Sequence, residues 1–386
     1  MNILIIGADF KPLYGGVAEY THRLTLHLHK SKDRVIVLSE RMKDDASFDA
    51  SCPYTVHRYD FRFVSSGAVR KYGKGYQWLR EFVKTHLPID IIISNCRDLS
   101  SVTALAVAKT LQIPFVIFTY GLEINRKEIK EKLIINLVLH GADTVVCLGT
   151  FTQSLVRQFG INPSKITIVP GATDINEYAA STCNETIAVY ASKKNARKKI
   201  IFTCGKLVER KGHDMVIKAL PKILQEVGNV IYIIAGAGPY EASLRKLVHD
   251  LKLSSNVILK GRVSNMERKD LYKACDVFVM PCRELKNGDV EGFGLVFLEA
   301  NVFCKPVVAG RSGGAVDAVE HKKTGLLVNP LDVDEIADAI IYLLTHPEIA
   351  VQMGKIGRQR IESQFTWDIS GTRLRQGLVR LLTKTL

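Results

Sequence analysis

The sequence predicts an α/β protein made of two doubly wound parallel sheets, one in each half of the chain. Three observations lead to this fold class. Short aliphatic runs alternate with longer amphipathic segments, as in parallel strands connected by helices. The alternation occurs twice, with a weakly patterned stretch at residues 181–199 between the two series. A chain of 386 residues is also long enough for two domains with separate cores.

The predicted strands are short aliphatic runs bounded by polar or turn-forming residues. In the first half they are residues 3–6, 35–39, 90–94, 115–118, 144–148 and 166–169, and in the second half 201–205, 230–236, 256–261, 276–281, 305–310 and 325–328. Helical patterns lie between them, for example at 17–30 and 101–111. We therefore expect domains at 1–185 and 186–365, followed by an amphipathic helix at 366–386.

Composition and charge indicate a globular protein with an anionic partner. Hydrophobic residues make up 47% of the chain and charged residues 24%, and the net charge is +14. The opening residues lack the pattern of a signal peptide, and no stretch approaches the roughly 20 apolar residues of a spanning helix. We expect a cytoplasmic protein, or one peripheral to the membrane. Because no zinc-finger spacing, RNP-like motif or basic helix-turn-helix pattern occurs, we expect no nucleic-acid partner.

The cysteines and a DxD sequence raise the question of metal binding. The eight cysteines include no CxxC pair, and several, such as Cys147 and Cys204, fall inside predicted strands. We expect neither disulfides nor structural zinc. Asp332 and Asp334 precede a helical pattern, with Glu335 three residues after Asp332. This spacing is that of a helix capping box, so we expect no metal site there.

The candidate site centres on EGFGLVFLEA, residues 291–300. Gly292 and Gly294 permit a tight turn into a helix that is apolar on most sides. Glu299 is then a carboxylate in a buried helix and needs a partner, such as a ligand hydroxyl or a cation.

The start of this helix is a candidate site for phosphate or sugar oxygens. Its first N–H groups would point out of the helix, and they belong to Gly294, Leu295 and Val296. A plainer interpretation is also open. Glu291 would then only complement the helix dipole, and Glu299 would lie on a solvated stripe beside Asn301.

Two other loops carry groups suited to phosphate. Gly15 and Gly16 lie at the entrance to the first predicted helix, where backbone N–H groups would approach an anion. The GxGxxG fingerprint of an NAD-linked oxidoreductase is absent from this position. The loop GKLVERKG contributes Lys206, Arg210 and Lys211, although alone it would equally suit a cation-rich surface.

Several of these motifs resemble those of retaining glycosyltransferases of family 4, whose fold is called GT-B, with two Rossmann-like domains facing across a cleft. The resemblance rests on Glu291 and Glu299 with seven residues between them, the Gly15–Gly16 loop, and the GKLVERKG loop. It implies that Glu291 contacts the donor sugar and Glu299 the ribose hydroxyls. It also implies that the last helix crosses back to the first domain.

The resemblance assigns further roles around the donor. Lys206 and Lys211 would neutralise the diphosphate, Lys206 standing where the family usually has arginine. Tyr120 stands where the family often has histidine, and its phenol or main chain would contact a hydroxyl. The remaining donor contacts are Arg210, main-chain groups near Arg262 and Val263 at the base, and the turn at Phe293, Gly294, Leu295 and Val296.

The implied activity is retaining, metal-independent transfer of a hexose from a nucleotide diphosphate sugar to a hydroxyl acceptor, with no other cofactor. Because the RSGGA segment is similar to that of members using GDP-mannose, we rank this donor first, before UDP-N-acetylglucosamine and UDP-glucose. A lipid-linked glycan would fit a basic, aromatic surface at residues 58–84 that faces an anionic membrane, although these aromatics would equally suit the core. A small soluble acceptor fits the chain length, and a non-catalytic nucleotide-sugar-binding protein would share the same residues.

Overall fold

The computed structural model describes residues 1–7, 9–13, 15–59, 69–86, 88–95, 99–176 and 198–385, without the side chains of 69–72, 99, 384 and 385. The chain forms two compact units, Met1–Gly171 with Trp367–Leu386, and Ala172–Thr366. Most of the predicted join at 181–199 lies outside the described residues. The units divide at Gly171 instead of near residue 185, because Thr173 already belongs to the second unit. Its N–H donates to the Phe365 carbonyl at 2.9 Å.

The first unit is built on a single parallel sheet. Its strands are β1 (Asn2–Ile6), β2 (Arg34–Glu40), β3 (Thr55–Tyr59), β4 (Ile91–Asn95), β5 (Phe115–Thr119), β6 (Thr144–Cys147) and β7 (Ile166–Ile168). They lie in the order β3-β2-β1-β4-β5-β6-β7. All six predicted strands are confirmed. The sequence missed β3, because this edge strand carries His57 and Arg58 where a central strand would be aliphatic.

Helices cover this sheet. They are α1 (Gly16–Lys30), α2 (Asp45–Ser51), α3 (Val69–Thr85), α4 (Leu99–Thr110), α5 (Leu122–Asn125), α6 (Ile129–Gly141) and α7 (Thr150–Gln158). Side chains of the central strands are almost fully buried, as in Ile3 and Ile91. A parallel strand covered on both faces has no solvated side, which is why these strands appear in the sequence as continuous aliphatic runs.

The second unit repeats this plan. Its strands are β8 (Lys199–Cys204), β9 (Val230–Ala235), β10 (Val257–Gly261), β11 (Val277–Met280), β12 (Val307–Gly310) and β13 (Gly325–Val328). They form one parallel sheet in the order β10-β9-β8-β11-β12-β13. The helices are α8 (His213–Val227), α9 (Glu241–Asp250), α10 (Asn265–Ala274), α11 (Leu295–Val302), α12 (Ala315–Ala318), α13 (Val333–Thr345) and α14 (Pro347–Gln364). Asp332 caps α13 by accepting from the N–H groups of Asp334 and Glu335, both at 3.0 Å.

The last helix, α15 (Trp367–Thr385), belongs to the first unit and packs against α1. Arg375 donates to the buried Asp33 carboxylate at 2.8 Å. A Cβ at Gly371 would lie 2.1 Å from the ring of His27, so glycine permits the close approach of the two helices. None of the described helices combines the length and apolar character needed to cross a bilayer.

Candidate active site

The candidate active site lies where two neighbouring strands of the second sheet end. β8 and β11 pair in parallel, with Val277 beside Ile201, at the point where the strand order reverses. Ligands of open α/β sheets bind outside the carboxyl ends of the strands at such a switch point. The loop after β8 contains a single helical turn, Glu209–Lys211, and the loop after β11 leads to α11.

An ion cluster joins these two loops. Arg210 donates from Nη1 to the Glu291 carboxylate at 2.7 Å, and the Lys211 ammonium donates to the same oxygen. Arg210 also pairs with Asp289, at 3.0 Å between Nε and Oδ1. Lys211 is 8% exposed. The structure thus brings the side chains of Lys211, Arg210 and Glu291 into direct contact.

The charge state of Glu291 follows from this cluster. Burial alone would raise the pKa of Glu291, but the adjacent Lys211 and Arg210 outweigh burial and lower it to about 2. The carboxylate is thus ionised at neutral pH and only accepts hydrogen bonds. A carboxylate of such low basicity is suited to binding hydroxyl groups and is a poor general base.

A buried ion pair supports the cation-bearing turn from below. Arg283, 6% exposed, donates from Nη1 and Nη2 to Asp214 at 3.2 Å each. The Arg283 N–H donates to the Arg210 carbonyl at 2.8 Å. The Arg283 guanidinium is therefore buried against Asp214.

Gly313 and Gly314 allow the RSGGA segment, residues 311–315, to pack on the turn that carries Glu291. The Gly314 N–H donates to the Glu291 carbonyl at 2.7 Å. A Cβ at Gly314 would lie 1.9 Å from the Gly292 carbonyl oxygen, and one at Gly313 would lie 2.5 Å from that of Glu291. The RSGGA segment therefore needs both glycines to hold the turn in place.

Glu299 lies on α11 and is held by α10. Arg268 donates from Nη1 to both carboxylate oxygens at 3.1 Å, and the Tyr272 hydroxyl donates to one of them at 2.9 Å. The solvated-stripe interpretation is wrong, because Glu299 is 9% and Asn301 2% exposed. The expected cation partner of Glu299 is Arg268.

The entry to α11 has the predicted turn geometry. Gly294 has φ of 90°, a left-handed conformation, and no side chain caps the helix. Phe293 is buried against the ring of Phe365, with centroids 5.8 Å apart. Leu295 and Val296 are half-buried, so the first helical turn is only partly covered within the described chain.

Three other predicted residues lie on loops of the second unit without joining the ion cluster. Lys206, directly after β8, is exposed, and its side chain forms no hydrogen bond or ion pair with any residue that the structure describes. Arg262 is exposed and Val263 half-buried, both just after β10. All three follow carboxyl ends of strands.

Two predicted positions lie in the first unit. Gly15 and Gly16 are exposed and begin α1, with Gly15 at the N-cap. Tyr120 is 7% exposed, and its hydroxyl donates to Asn95 at 2.7 Å and lies 3.2 Å from the Thr21 hydroxyl. The phenol is therefore buried and hydrogen-bonded within the first unit.

The basic, aromatic segment at 58–84 is only partly described, since residues 60–68 lie outside the described chain. In its described part, Tyr76, Trp78 and Phe82 pack against the core of the first unit. Trp78 and Phe82 stack at 5.5 Å between centroids. These aromatics therefore favour the core alternative over the membrane surface.

Comparison with known proteins identifies the family. The family model described as "Glycosyltransferase Family 4" matches residues 14–177, and the model described as "Glycosyl transferases group 1" matches residues 187–360. The chain belongs to glycosyltransferase family 4. It is a glycosyltransferase, as the motif combination predicts.

Relatives with assigned activities include mannosyltransferases. A Mycobacterium tuberculosis protein named GDP-mannose-dependent alpha-(1-6)-phosphatidylinositol monomannoside mannosyltransferase is 28% identical over 384 residues, covering 97% of each chain. A Corynebacterium glutamicum protein named GDP-mannose-dependent monoacylated alpha-(1-6)-phosphatidylinositol monomannoside mannosyltransferase is 35% identical over 242 residues, 60% of this chain and 61% of the relative.

Solved structures establish the fold of this family 4 member. A glycosyltransferase from Rickettsia africae superposes with a TM-score of 0.82 at 19% identity, covering 99% of each chain. An Anabaena protein solved with UDP and glucose gives 0.79 at 20% identity, covering 98% of this chain and 99% of that one. The fold is GT-B, as predicted.

Two groups of site residues escaped sequence reasoning in this family 4 enzyme. Arg268 and Tyr272 hold Glu299, and Asp214 holds Arg283. The spacing of Arg268 and Tyr272, four residues apart on a helix, indicates a shared face. No sequence signal shows which carboxylate that face meets, because the contact depends on the order of the strands.

Proposed function

We propose that this enzyme is a retaining, metal-independent transferase that moves mannose from GDP-mannose to a hydroxyl group of a lipid-linked glycan. The ion cluster of Arg210, Lys211 and Glu291 at the switch point of the second sheet is the observation that carries the proposal. It brings two cations and one carboxylate that is ionised at neutral pH to the edge where nucleotides bind in such sheets.

The two cations have hydrogen-bonding capacity left for a diphosphate. A guanidinium has five N–H donors and an ammonium has three. Arg210 donates from Nη1 to Glu291, and its Nε forms an ion pair with Asp289. Its other donors and those of Lys211 would bind phosphate oxygens and stabilise the charge that develops as the sugar leaves. Lys206, exposed on the same loop, would contribute a further positive charge.

The two glutamates would position the donor. Glu291, held ionised by its neighbours, would accept hydrogen bonds from sugar hydroxyls. Glu299 would do the same for the ribose, with Arg268 and Tyr272 fixing the orientation of its carboxylate. The role of Glu291 needs an acceptor that stays ionised, and Lys211 and Arg210 supply this by lowering its pKa.

Backbone groups would complete the donor site. The N–H groups of Gly294, Leu295 and Val296 would bind diphosphate or sugar oxygens after the turn at Phe293. Main-chain groups at Arg262 and Val263 would contact the base. In the first unit, the N–H groups of the Gly15–Gly16 loop at the start of α1 would bind phosphate oxygens.

The transfer step needs no protein base. The bond between the sugar C1 and the diphosphate oxygen breaks, and that oxygen takes the proton of the acceptor hydroxyl. The acceptor oxygen then bonds to C1 on the face that the diphosphate leaves, so the configuration is retained. The low basicity of Glu291 supports this route, because its pKa of about 2 makes it a weak proton acceptor.

The named relatives support the choice of substrates. Both mannosyltransferases described above are named for GDP-mannose and for a phosphatidylinositol mannoside acceptor. An enzyme with such an acceptor would act at the cytoplasmic face of a membrane, in peripheral association with it. UDP-linked sugars are the competing donors, and titration with GDP, UDP and ADP distinguishes them.

Calorimetric titration without added metal tests the donor site. We expect GDP to bind at micromolar concentration, UDP and ADP more weakly, and GDP binding to fall at least tenfold in Glu299→Ala (roughly 1.4 kcal/mol or more). The matched control is Glu226→Ala, an exposed glutamate on α8, which should bind like the wild type. Preferred binding of UDP would replace GDP-mannose by a UDP-sugar, and absence of binding by all three nucleotides would overturn the proposed site.

Turnover then tests the acceptor. Incubation with radiolabelled GDP-mannose and a short-chain mannosylated phosphatidylinositol should label the lipid. NMR of the product should show that the α-configuration is retained. Transfer to a water-soluble aminocyclitol instead would overturn the lipid-linked acceptor while leaving the donor assignment intact. Inclusion of a chelator should leave the rate of transfer unchanged. Loss of transfer in the presence of the chelator would contradict metal independence.

A further inference from the structure

The outer face of α6 carries an unusual ridge of exposed apolar side chains. Ile129, Leu133 and Leu137 are 76%, 65% and 55% exposed. They are three of the four most exposed large apolar side chains of the described chain, and the fourth is Leu331, at 68% on the second unit. Single exposed leucines are ordinary on protein surfaces, but an aligned group indicates an interaction site.

The ridge is continuous and points away from the protein. Residues four apart on a helix lie on one face, so Ile129, Leu133 and Leu137 follow one another along the helix. The buried residues of α6, Ile135 and Val138, lie on the opposite side and join the core of the first unit. The ridge is therefore additional to the apolar face that α6 needs for folding.

Lysines flank this ridge on both sides. Lys130 and Lys132 are exposed and lie at either edge of the apolar face, with exposed Lys127 just before the helix. None of the three forms an ion pair with a described carboxylate. The nearby Glu131 is paired with Arg126, at 3.1 Å. The cations at the rim are thus available to an anionic partner.

The combination of charge and shape selects one occupant. An apolar ridge with a cationic rim matches the interface of an anionic bilayer, where apolar side chains enter the acyl boundary and lysines meet the headgroups. A second copy of the chain fits less well. A two-fold interface would set the lysine rims of two α6 helices against each other, and like charges facing across an interface are unfavourable.

We propose that α6 docks this enzyme on an anionic lipid bilayer, with Ile129, Leu133 and Leu137 inserted among the headgroups. This surface is distinct from the segment at 58–84. It also follows the carboxyl end of a strand of the first sheet. β5 ends at Thr119 and α6 begins at Ile129, so the ridge starts close to the carboxyl edge of the sheet, to which the Gly15–Gly16 loop also belongs.

Docking would present a lipid acceptor to the active site, and in this respect the inference rests on the proposed function. The two remain separable, because vesicle binding is measured without a donor. Nucleotide binding, in turn, is measured without vesicles.

Vesicle co-sedimentation tests the surface. The wild-type enzyme should bind vesicles of phosphatidylcholine with phosphatidylglycerol, bind pure phosphatidylcholine weakly, and lose affinity as salt rises. The triple variant Ile129→Ser/Leu133→Ser/Leu137→Ser should lose at least about tenfold in affinity, because three side chains no longer enter the bilayer. The control Leu331→Ser removes an equally exposed apolar side chain elsewhere and should bind like the wild type.

A charge variant tests the rim separately. Lys130→Glu/Lys132→Glu should lose binding to the anionic vesicles, whereas Lys246→Glu/Lys355→Glu, which changes net charge equally on the second unit, should lose much less. All these side chains are exposed, so the thermal midpoints and GDP affinity should stay unchanged.

Three results would overturn the docking surface. They are failure of the wild type to bind anionic vesicles, undiminished binding by the triple variant, and a wild-type dimer in light scattering that the triple variant abolishes. The last would assign the ridge to a second copy of the chain. Loss of GDP binding in the wild type would instead contradict the proposed function alone.

Discussion

The Lys211 ammonium and the Glu291 carboxylate form a hydrogen-bonded ion pair although they are 80 positions apart in the chain. They meet because β8 and β11 are neighbours in the sheet and each supplies one loop at its carboxyl end. Each residue stabilises the charge of the other. Lys211 keeps Glu291 ionised, and the attraction of Glu291 offsets the free-energy cost of burying the ammonium.

Replacing Lys211 should abolish most of the activity. In Lys211→Ala, the charge that develops on the diphosphate loses a buried cation, and we expect kcat to fall about 100- to 1000-fold. Nucleotide binding should weaken much less, because Arg210 and the backbone donors remain. Steady-state transfer assays with calorimetry measure both quantities. Lys246→Ala, an exposed lysine of the same unit, is the control, and unchanged transfer in Lys211→Ala would remove the catalytic role.

The cluster should also make stability depend on pH. Burial opposes ionisation of Glu291, but the attraction of Lys211 and Arg210 is stronger and lowers its pKa from 4.5 to about 2. Its stabilising contribution is therefore complete above pH 4.5 and is lost as the pH falls towards 2. The contribution is on the order of 3 kcal/mol.

Urea unfolding between pH 6 and about pH 3 measures this effect through the linkage slope. The wild-type midpoint should decline more steeply with falling pH than that of Glu291→Gln, which has no carboxylate to protonate. Glu226→Gln, exposed on α8, should follow the wild type. Parallel curves for wild type and Glu291→Gln would contradict the lowered pKa.

The buried pair beneath the cluster should matter mainly for stability. Arg283→Met leaves the buried Asp214 carboxylate with only Lys218, at 3.7 Å and half-exposed, as a cation, and we expect the free energy of unfolding to fall by about 3 kcal/mol. Replacing both residues, as Asp214→Leu/Arg283→Met, should cost clearly less than the single change, since no unpaired charge remains. A double-mutant cycle by urea denaturation measures the coupling. The exposed pair Arg245 and Glu241 provides the control, where loss of the arginine should cost under about 1 kcal/mol.

Gly314 should be required for the shape of the Glu291 turn. In Gly314→Ala the new Cβ would lie 1.9 Å from the Gly292 carbonyl oxygen, so the turn must move and the alignment of Glu291 with Lys211 is lost. We expect nucleotide affinity to fall at least about tenfold. Gly73→Ala is the control, because a Cβ there meets nothing within 4 Å, and alanine in a helix is favourable. Equal nucleotide affinity in both variants would contradict the packing argument.

Sequence reasoning succeeded where a local pattern carries the information. The buried strands are aliphatic runs, and the left-handed turn before α11 lies at Gly294, a residue type that permits it. It failed where the partner is chosen by the tertiary arrangement. Glu299 needed a partner by its burial, but Arg268 lies 31 positions away on another helix. β3 is a polar edge strand that only its pairing with β2 defines.

Tyr120 is the last such case. It leads to a prediction opposite to the one that the resemblance to the family implies for its phenol. Its phenol donates to Asn95 and lies beside Thr21 inside the first unit. In Tyr120→Phe these buried groups lose a partner, so the free energy of unfolding should fall by about 1–3 kcal/mol. The kcat/KM for transfer should change less than about twofold, a free-energy difference under about 0.5 kcal/mol. Tyr76→Phe, which removes an exposed bond to Thr110, should change neither quantity. A fall in kcat without a fall in stability would mean that the phenol reaches the substrate.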